Sequence, residues 1–167
     1  MRPATLASAL LTAIAGALLM AMMLLTVVDV IGRYVFSAPV PGAFEATEIM
    51  LALVVFAGLP LVTGRGEHVQ VRLALDGMPG GMRFVLERAA EVLVTLLLAG
   101  AAWLLYQRGA ALSRYGDATV LLGIPLAPVA FALAALSAVS SIVAVARLVQ
   151  GCRGALSPTP EIPHDDI

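Results

Sequence analysis

The sequence predicts an all-α membrane protein with four transmembrane helices and a short interfacial segment between helices 2 and 3. Three observations carry this prediction. Hydrophobic residues make up 60% of the chain, and its mean hydropathy is +0.98. Charged residues make up only 13%, where a soluble domain carries about 25%. The charges also cluster, bracketing four apolar runs of roughly the ~20 residues that cross a bilayer. One membrane domain over residues 1–150 is expected, with helices at about 8–36, 43–64, 82–108 and 120–149. A polar connection at 65–81 joins the middle pair, and residues 151–167 form a flexible cytoplasmic tail.

The first run, Pro3 to Val28, is free of charge between Arg2 and Asp29. A cleaved signal peptide competes for this segment, but its apolar region spans only about 7–15 residues. A retained helix is therefore the expectation, continuing past Asp29 to Tyr34 or Phe36. Asp29 and Arg33 are four apart with the acid first, the better orientation for a helical ion pair. Pro39, Pro41 and Gly42 then break the helix, since proline lacks an N–H and restricts the residue before it.

The second helix starts near Ala43, with Glu45 and Glu48 in its first turns, where the helix dipole favours acids. Its charge-free core, Ile49 to Gly64, is 16 residues. At ~1.5 Å per residue that is ~24 Å, short of a ~30 Å hydrocarbon slab. Either Glu48 or Arg65 must approach the apolar zone. Pro60 lies inside this helix and is expected to kink it.

Gly64 to Gly81 alternates apolar and polar residues at its centre, which favours an extended segment. An isolated strand at a membrane surface lacks backbone partners. A short interfacial helix also fits, because Val71, Leu75 and Met78 fall at i, i+4 and i+7. The third helix starts near Met82 with charged first turns, and Trp103 and Tyr106 suit an aromatic belt at its far end. Arg108 to Asp117 reads as a loop. Ala118 to Ala146 carries no charge and reads as the fourth helix, with Pro125 and Pro128 at its start, where proline costs least.

Four spans put both termini on one side. With both inside, seven arginines face the cytoplasm and three (Arg33, Arg108, Arg114) face outward. The positive-inside rule therefore places the N- and C-termini in the cytoplasm.

Composition excludes several functions. A net charge of −1 argues against nucleic-acid binding. The lone Cys152 makes no internal disulfide. His68 and His164 are too few, in separate polar segments, to hold haems between helices. No HExxH, GxSxG or P-loop occurs. Ser137, Ser140 and Ser141 have no histidine to activate them and read as packing residues. No catalytic, metal or cofactor site is expected.

The informative residues are the ionisable ones near the membrane. Arg33, Glu45, Glu48 and Arg108 cluster at the outer ends of the first three helices. They read either as interfacial anchors or as a set in which Arg33 or Arg108 neutralises an inward-drawn Glu48. His68 reads first as a solvated loop residue. A self-contained exporter or proton-coupled carrier using Glu48 is the alternative function. Against it, Glu48 sits at a helix end and no duplicated half is visible.

The order of motifs is familiar: the Arg33–Glu48 hairpin, an apolar run with Gly58, GRGEHVQV from Gly64 to Val71, and GIPL from Gly123 to Leu126. This resembles the small membrane (Q, DctQ-like) subunit of TRAP transporters (tripartite ATP-independent periplasmic transporters) over about residues 10–150. Arg33 matches the arginine ending the family's first helix, and Glu48 the acid opening its second. Gly58, His68 and Pro125 fall on further recurrent positions. Two positions depart from the pattern: only Phe44 supplies the hairpin aromatic, and Ala127 replaces one after the Gly-Ile-Pro.

The resemblance implies a non-catalytic subunit without cofactors in the bacterial inner membrane, surrounded by lipid. It implies a large membrane subunit as partner, which carries sodium-coupled elevator transport. It also implies a periplasmic substrate-binding protein that captures an organic acid. The small subunit would brace the first and help dock the second. Arg33, Glu45, Glu48, Gly58, His68, Arg108 and Pro125 are the structural or partner-contact candidates.

Overall fold

A computed structural model describes residues 3–65 and 80–154. Four helices account for most of them: α1 (Pro3–Val35), α2 (Ala43–Arg65), α3 (Gly80–Tyr115) and α4 (Leu126–Gly154). All four contain stretches long and apolar enough to cross a membrane. Of the connection expected at 65–81 and the tail expected at 151–167, residues 66–79 and 155–167 lie outside the described residues, while Arg65, Gly80, Gly81 and residues 151–154 belong to the flanking helices.

Each helix ends where local chemistry requires it. After α1 the Gly32 carbonyl accepts the amides of Phe36 (3.2 Å) and Ala38 (2.9 Å), and Ser37 takes a left-handed φ of 53°. Asp29 holds this turn from within the helix. One carboxylate oxygen accepts the Arg33 guanidinium at 2.8 Å, and the other accepts the Val40 amide at 2.9 Å. The ion pair follows from the i, i+4 spacing; the bond to Val40 completes the hairpin. α2 remains helical through Pro60.

α3 runs seven residues past Arg108, to Tyr115. Gly109 lies inside it, where its missing side chain admits Phe131 of α4. A Cβ there would sit 3.0 Å from two Phe131 ring carbons. The Tyr106 and Phe131 rings meet beside it with centroids 5.7 Å apart. The helix stops at Gly116, which adopts φ 69° while the Asp117 amide bonds back to the Leu112 carbonyl at 3.2 Å. This is a Schellman-type C-cap, and it needs the left-handed residue that glycine supplies.

Apolarity alone carried the fourth helix back to residue 120, but α4 begins at Leu126. Residues 117–126 instead fold into a tight hairpin-like loop. Thr119 donates its amide to the Ile124 carbonyl (2.9 Å), and the Leu126 amide bonds to the Asp117 carbonyl (3.0 Å). Ala118 and Pro125 pair as an antiparallel bridge. The Thr119 hydroxyl accepts the Ile124 amide at 3.0 Å. Pro125 cannot donate to a helical carbonyl, and Gly123 takes a positive φ of 63°. The stretch is as apolar as a helix, but its turn residues decide the conformation.

The helices pack in the order α1, α2, α4, α3, so the two central helices α2 and α4 are parallel neighbours. α4 carries most of the core, with Ala130, Leu133, Ala134 and Ala144 buried and Ser137 and Ser140 wholly inaccessible. These positions recur at three- and four-residue steps. Small side chains there let backbones approach closely, the packing favoured between membrane helices. The serines are packing residues, and Ser140 returns its hydroxyl to the Leu136 carbonyl at 2.8 Å. α1 packs on α2 and leaves Leu19, Met23, Leu24, Val27 and Ile31 exposed.

A second tie joins the central pair at the end opposite the described turns. The Arg147 guanidinium of α4 donates to the last-turn carbonyls of α2, Thr63 at 3.2 Å and Gly64 at 2.6 Å. Helix C-termini leave such carbonyls without intrahelical donors, and a cation there also suits the dipole. Arg147→Ala is expected to cost about 1–2 kcal/mol, read as a lower midpoint of thermal unfolding in detergent. Arg147→Lys should recover part of the loss, because it keeps the charge but not the two-pronged geometry.

Candidate functional site

The two described turns lie at the same end of the helices, and the structure fastens them together. Glu45, in the first turn of α2, points across to the α3–α4 loop. Its Oε1 accepts the Leu121 amide at 2.9 Å. Its Oε2 accepts the Leu121 amide at 3.2 Å and the Leu122 amide at 3.0 Å. A carboxylate suits this role because the loop presents successive N–H groups with no carbonyl of its own in reach, a local nest for an anion. Glu45 thus binds a segment 76 residues away in sequence.

Gly42 seals the same junction. It is buried, with a positive φ of 77°, and a Cβ there would lie 2.4 Å from Leu122 Cγ. The absence of a side chain on the first turn is what lets Leu122 of the second sit against it. Leu122 therefore meets both α2, through its amide to Glu45, and the turn before it, through its side chain to Gly42.

The clamped loop presents an apolar tip. Val120 is 93% exposed and Leu121 67%. Tyr34, Phe36, Phe44 and Tyr115 are exposed at the same end. Beneath the loop, between α2 and α4, opens a recess of about 370 Å³. Glu45, Glu48 and Thr119 line its upper part; Ile49, Ala52 and Val129 line its apolar part.

Of the residues singled out from sequence, Glu45 is the one that bridges the two turns. Arg33 is spent on Asp29 in an exposed pair. Glu48 is exposed on the recess and pairs with neither Arg33 nor Arg108 among the described residues. The cause is geometric: Asp29 lies one turn below Arg33 on its own helix and reaches it first. Arg108 is exposed on α3, within the helix and not in a loop. Pro125 ends the α3–α4 loop as a bridge residue. Gly58 borders open space, since a Cβ there would meet nothing within 4 Å. His68 lies outside the described residues.

Sequence reasoning missed Leu121 and Leu122, whose part is played by backbone amides and not by side chains. It also missed Arg147, which entered only as a topology charge, and the grip of Asp29 on Val40. Only Asp29 left a usable signal, its spacing from Arg33.

A clamped turn end, exposed apolar flanks and four helices of membrane length describe a multi-span membrane protein. Comparison with known families agrees. The chain matches the family described as tripartite ATP-independent periplasmic transporters, DctQ component, over residues 22–154. No curated protein matches it. The match covers most of the chain: it belongs to the DctQ family and is a multi-span, non-catalytic small membrane subunit of a TRAP transporter.

Proposed function

We propose that this subunit scaffolds the large sodium-coupled transport subunit in the bacterial inner membrane. On this reading it also helps dock the periplasmic substrate-binding protein during uptake of an organic acid. The observation that carries the reading is the Glu45 clamp. It makes one rigid unit of two turns that belong to different helix pairs, and rigid elements are what a brace requires. The exposed apolar faces of the outer helices leave wide surface for a membrane partner. The exposed Val120–Leu121 tip gives a soluble partner a fixed apolar contact.

The orientation belongs to the same proposal. Both termini face the cytoplasm, which puts the clamped turns on the periplasmic side, where the binding protein arrives. The charge asymmetry of the arginines supports it. Labelling single cysteines at Val120 and in the tail from outside intact spheroplasts tests it: the first should react and the second should not.

Gly58 offers a separate check on partner contact. Gly58→Ala fills open space within this chain and removes a flexible residue from a helix interior, worth up to about 1 kcal/mol in its favour. The isolated subunit should be as stable or more so. If Gly58 meets the large subunit, the same substitution weakens the complex. Unchanged complex stability removes Gly58 from the interface.

The functional test is reconstitution. Proteoliposomes with both membrane subunits and the binding protein should take up substrate on a sodium gradient, and omission of this subunit should abolish most of the uptake.

A further inference from the structure

Glu45 and Glu48 stand three residues apart on α2, yet only Glu45 is satisfied. Its oxygens hold the Leu121 and Leu122 amides. Glu48 has no such partner among the described residues. It opens onto the 370 Å³ recess, whose lining among the described residues includes no basic residue.

The depth of Glu48 makes this consequential. Arg147 bonds to the Thr63 and Gly64 carbonyls, and arginines favour the interface, so the slab is taken to begin at that end of α2. Gly64 lies 16 residues from Glu48, or ~24 Å at ~1.5 Å per residue. A ~30 Å hydrocarbon slab therefore reaches ~6 Å beyond Glu48. Helix tilt shortens the projected distance and sets the carboxylate deeper. A charge at that level needs a partner, and the described residues of this chain supply none.

We propose that the recess receives an arginine or lysine side chain from a transmembrane helix of the large membrane subunit. Its aliphatic stem lies along Ile49, Ala52 and Val129, and its cation pairs with Glu48. This rests on the scaffolding function proposed above and gives that interface a specific ionic contact. A zwitterionic lipid amine fits less well. It would have to descend ~6 Å below the slab edge, bringing a phosphate towards two carboxylates and a wall without a cation. A helix-borne side chain brings no anion, and its depth is fixed by its own backbone.

The test uses the full chain and its large subunit, purified together and then titrated in nanodiscs. Glu48→Gln keeps the shape and removes the charge; Ala52→Leu fills the apolar wall and leaves the charge. Each should weaken association roughly thirtyfold or more, the scale of losing one partner of a buried charge pair. Glu48→Asp should restore part of it. Amide exchange at Leu121 and Leu122 should not change in Glu48→Gln, which separates a lost contact from a lost fold. Wild-type affinity in Glu48→Gln overturns the proposal. So does Glu48→Gln releasing co-purified phosphatidylethanolamine while it holds the large subunit, because a lipid is then the occupant. If the wild-type chain itself fails to bind the large subunit, the scaffolding function falls first. If it binds and Glu48→Gln binds equally well, only the recess contact falls.

Discussion

Gly42→Ala will be among the most destabilising single substitutions in the described chain, and Gly42→Val worse. Two independent costs meet at this residue. Its backbone is left-handed at φ 77°, where an L-residue costs roughly 1–2 kcal/mol, and a β-branched residue fits worst. The added Cβ would also sit 2.4 Å from Leu122 Cγ and 2.7 Å from Cδ2. Overpacking of that kind adds about 1–3 kcal/mol. The two costs can be told apart. In Gly42→Ala combined with Leu122→Ala, the steric part should vanish and the backbone part remain, so the double variant should be more stable than additivity predicts. Unfolding of all four forms of this cycle in detergent measures the coupling. Simple additivity would mean that Gly42 and Leu122 do not touch.

Glu45→Ala will release the α3–α4 loop. The amides of Leu121 and Leu122 lose their acceptor; these bonds are exposed, so water replaces the carboxylate and what is lost is the tie that orders the loop. Hydrogen exchange at these two amides should rise by on the order of tenfold or more, while α4 amides from Ala130 onward keep their protection. Glu45→Gln retains one carbonyl oxygen and should fall between the two. If the exposed Val120–Leu121 tip docks the binding protein as proposed, Glu45→Ala should also weaken that docking more than it weakens assembly with the large subunit. Unchanged exchange at Leu121 and Leu122 would show that the clamp does not hold the loop.

The four helices are legible because a bilayer demands long uncharged stretches, and the charges mark their ends. The Asp29–Arg33 pair is legible because helical spacing alone brings those groups together. The loop before α4 is not legible from hydropathy, since Val120, Leu121 and Leu122 are as apolar as any helix residue. Its signals are Gly123 and Pro125, turn residues within an apolar run. The Glu45 clamp leaves still less trace. Its partners are backbone amides, which every non-proline residue possesses, so nothing in the identity of Leu121 or Leu122 announces them. Glu48 had a reason to be partnered, in the shortness of its helix. Its partner was sought within the chain, where Arg33 was already taken by Asp29.

The most direct test of the proposed bracing function is sodium-driven uptake in proteoliposomes holding the large subunit with its binding protein, this subunit alone, or all three. Most of the uptake should be lost when this subunit is omitted, and none should arise from this subunit alone. Transport by this chain by itself, or full transport without it, would contradict the account.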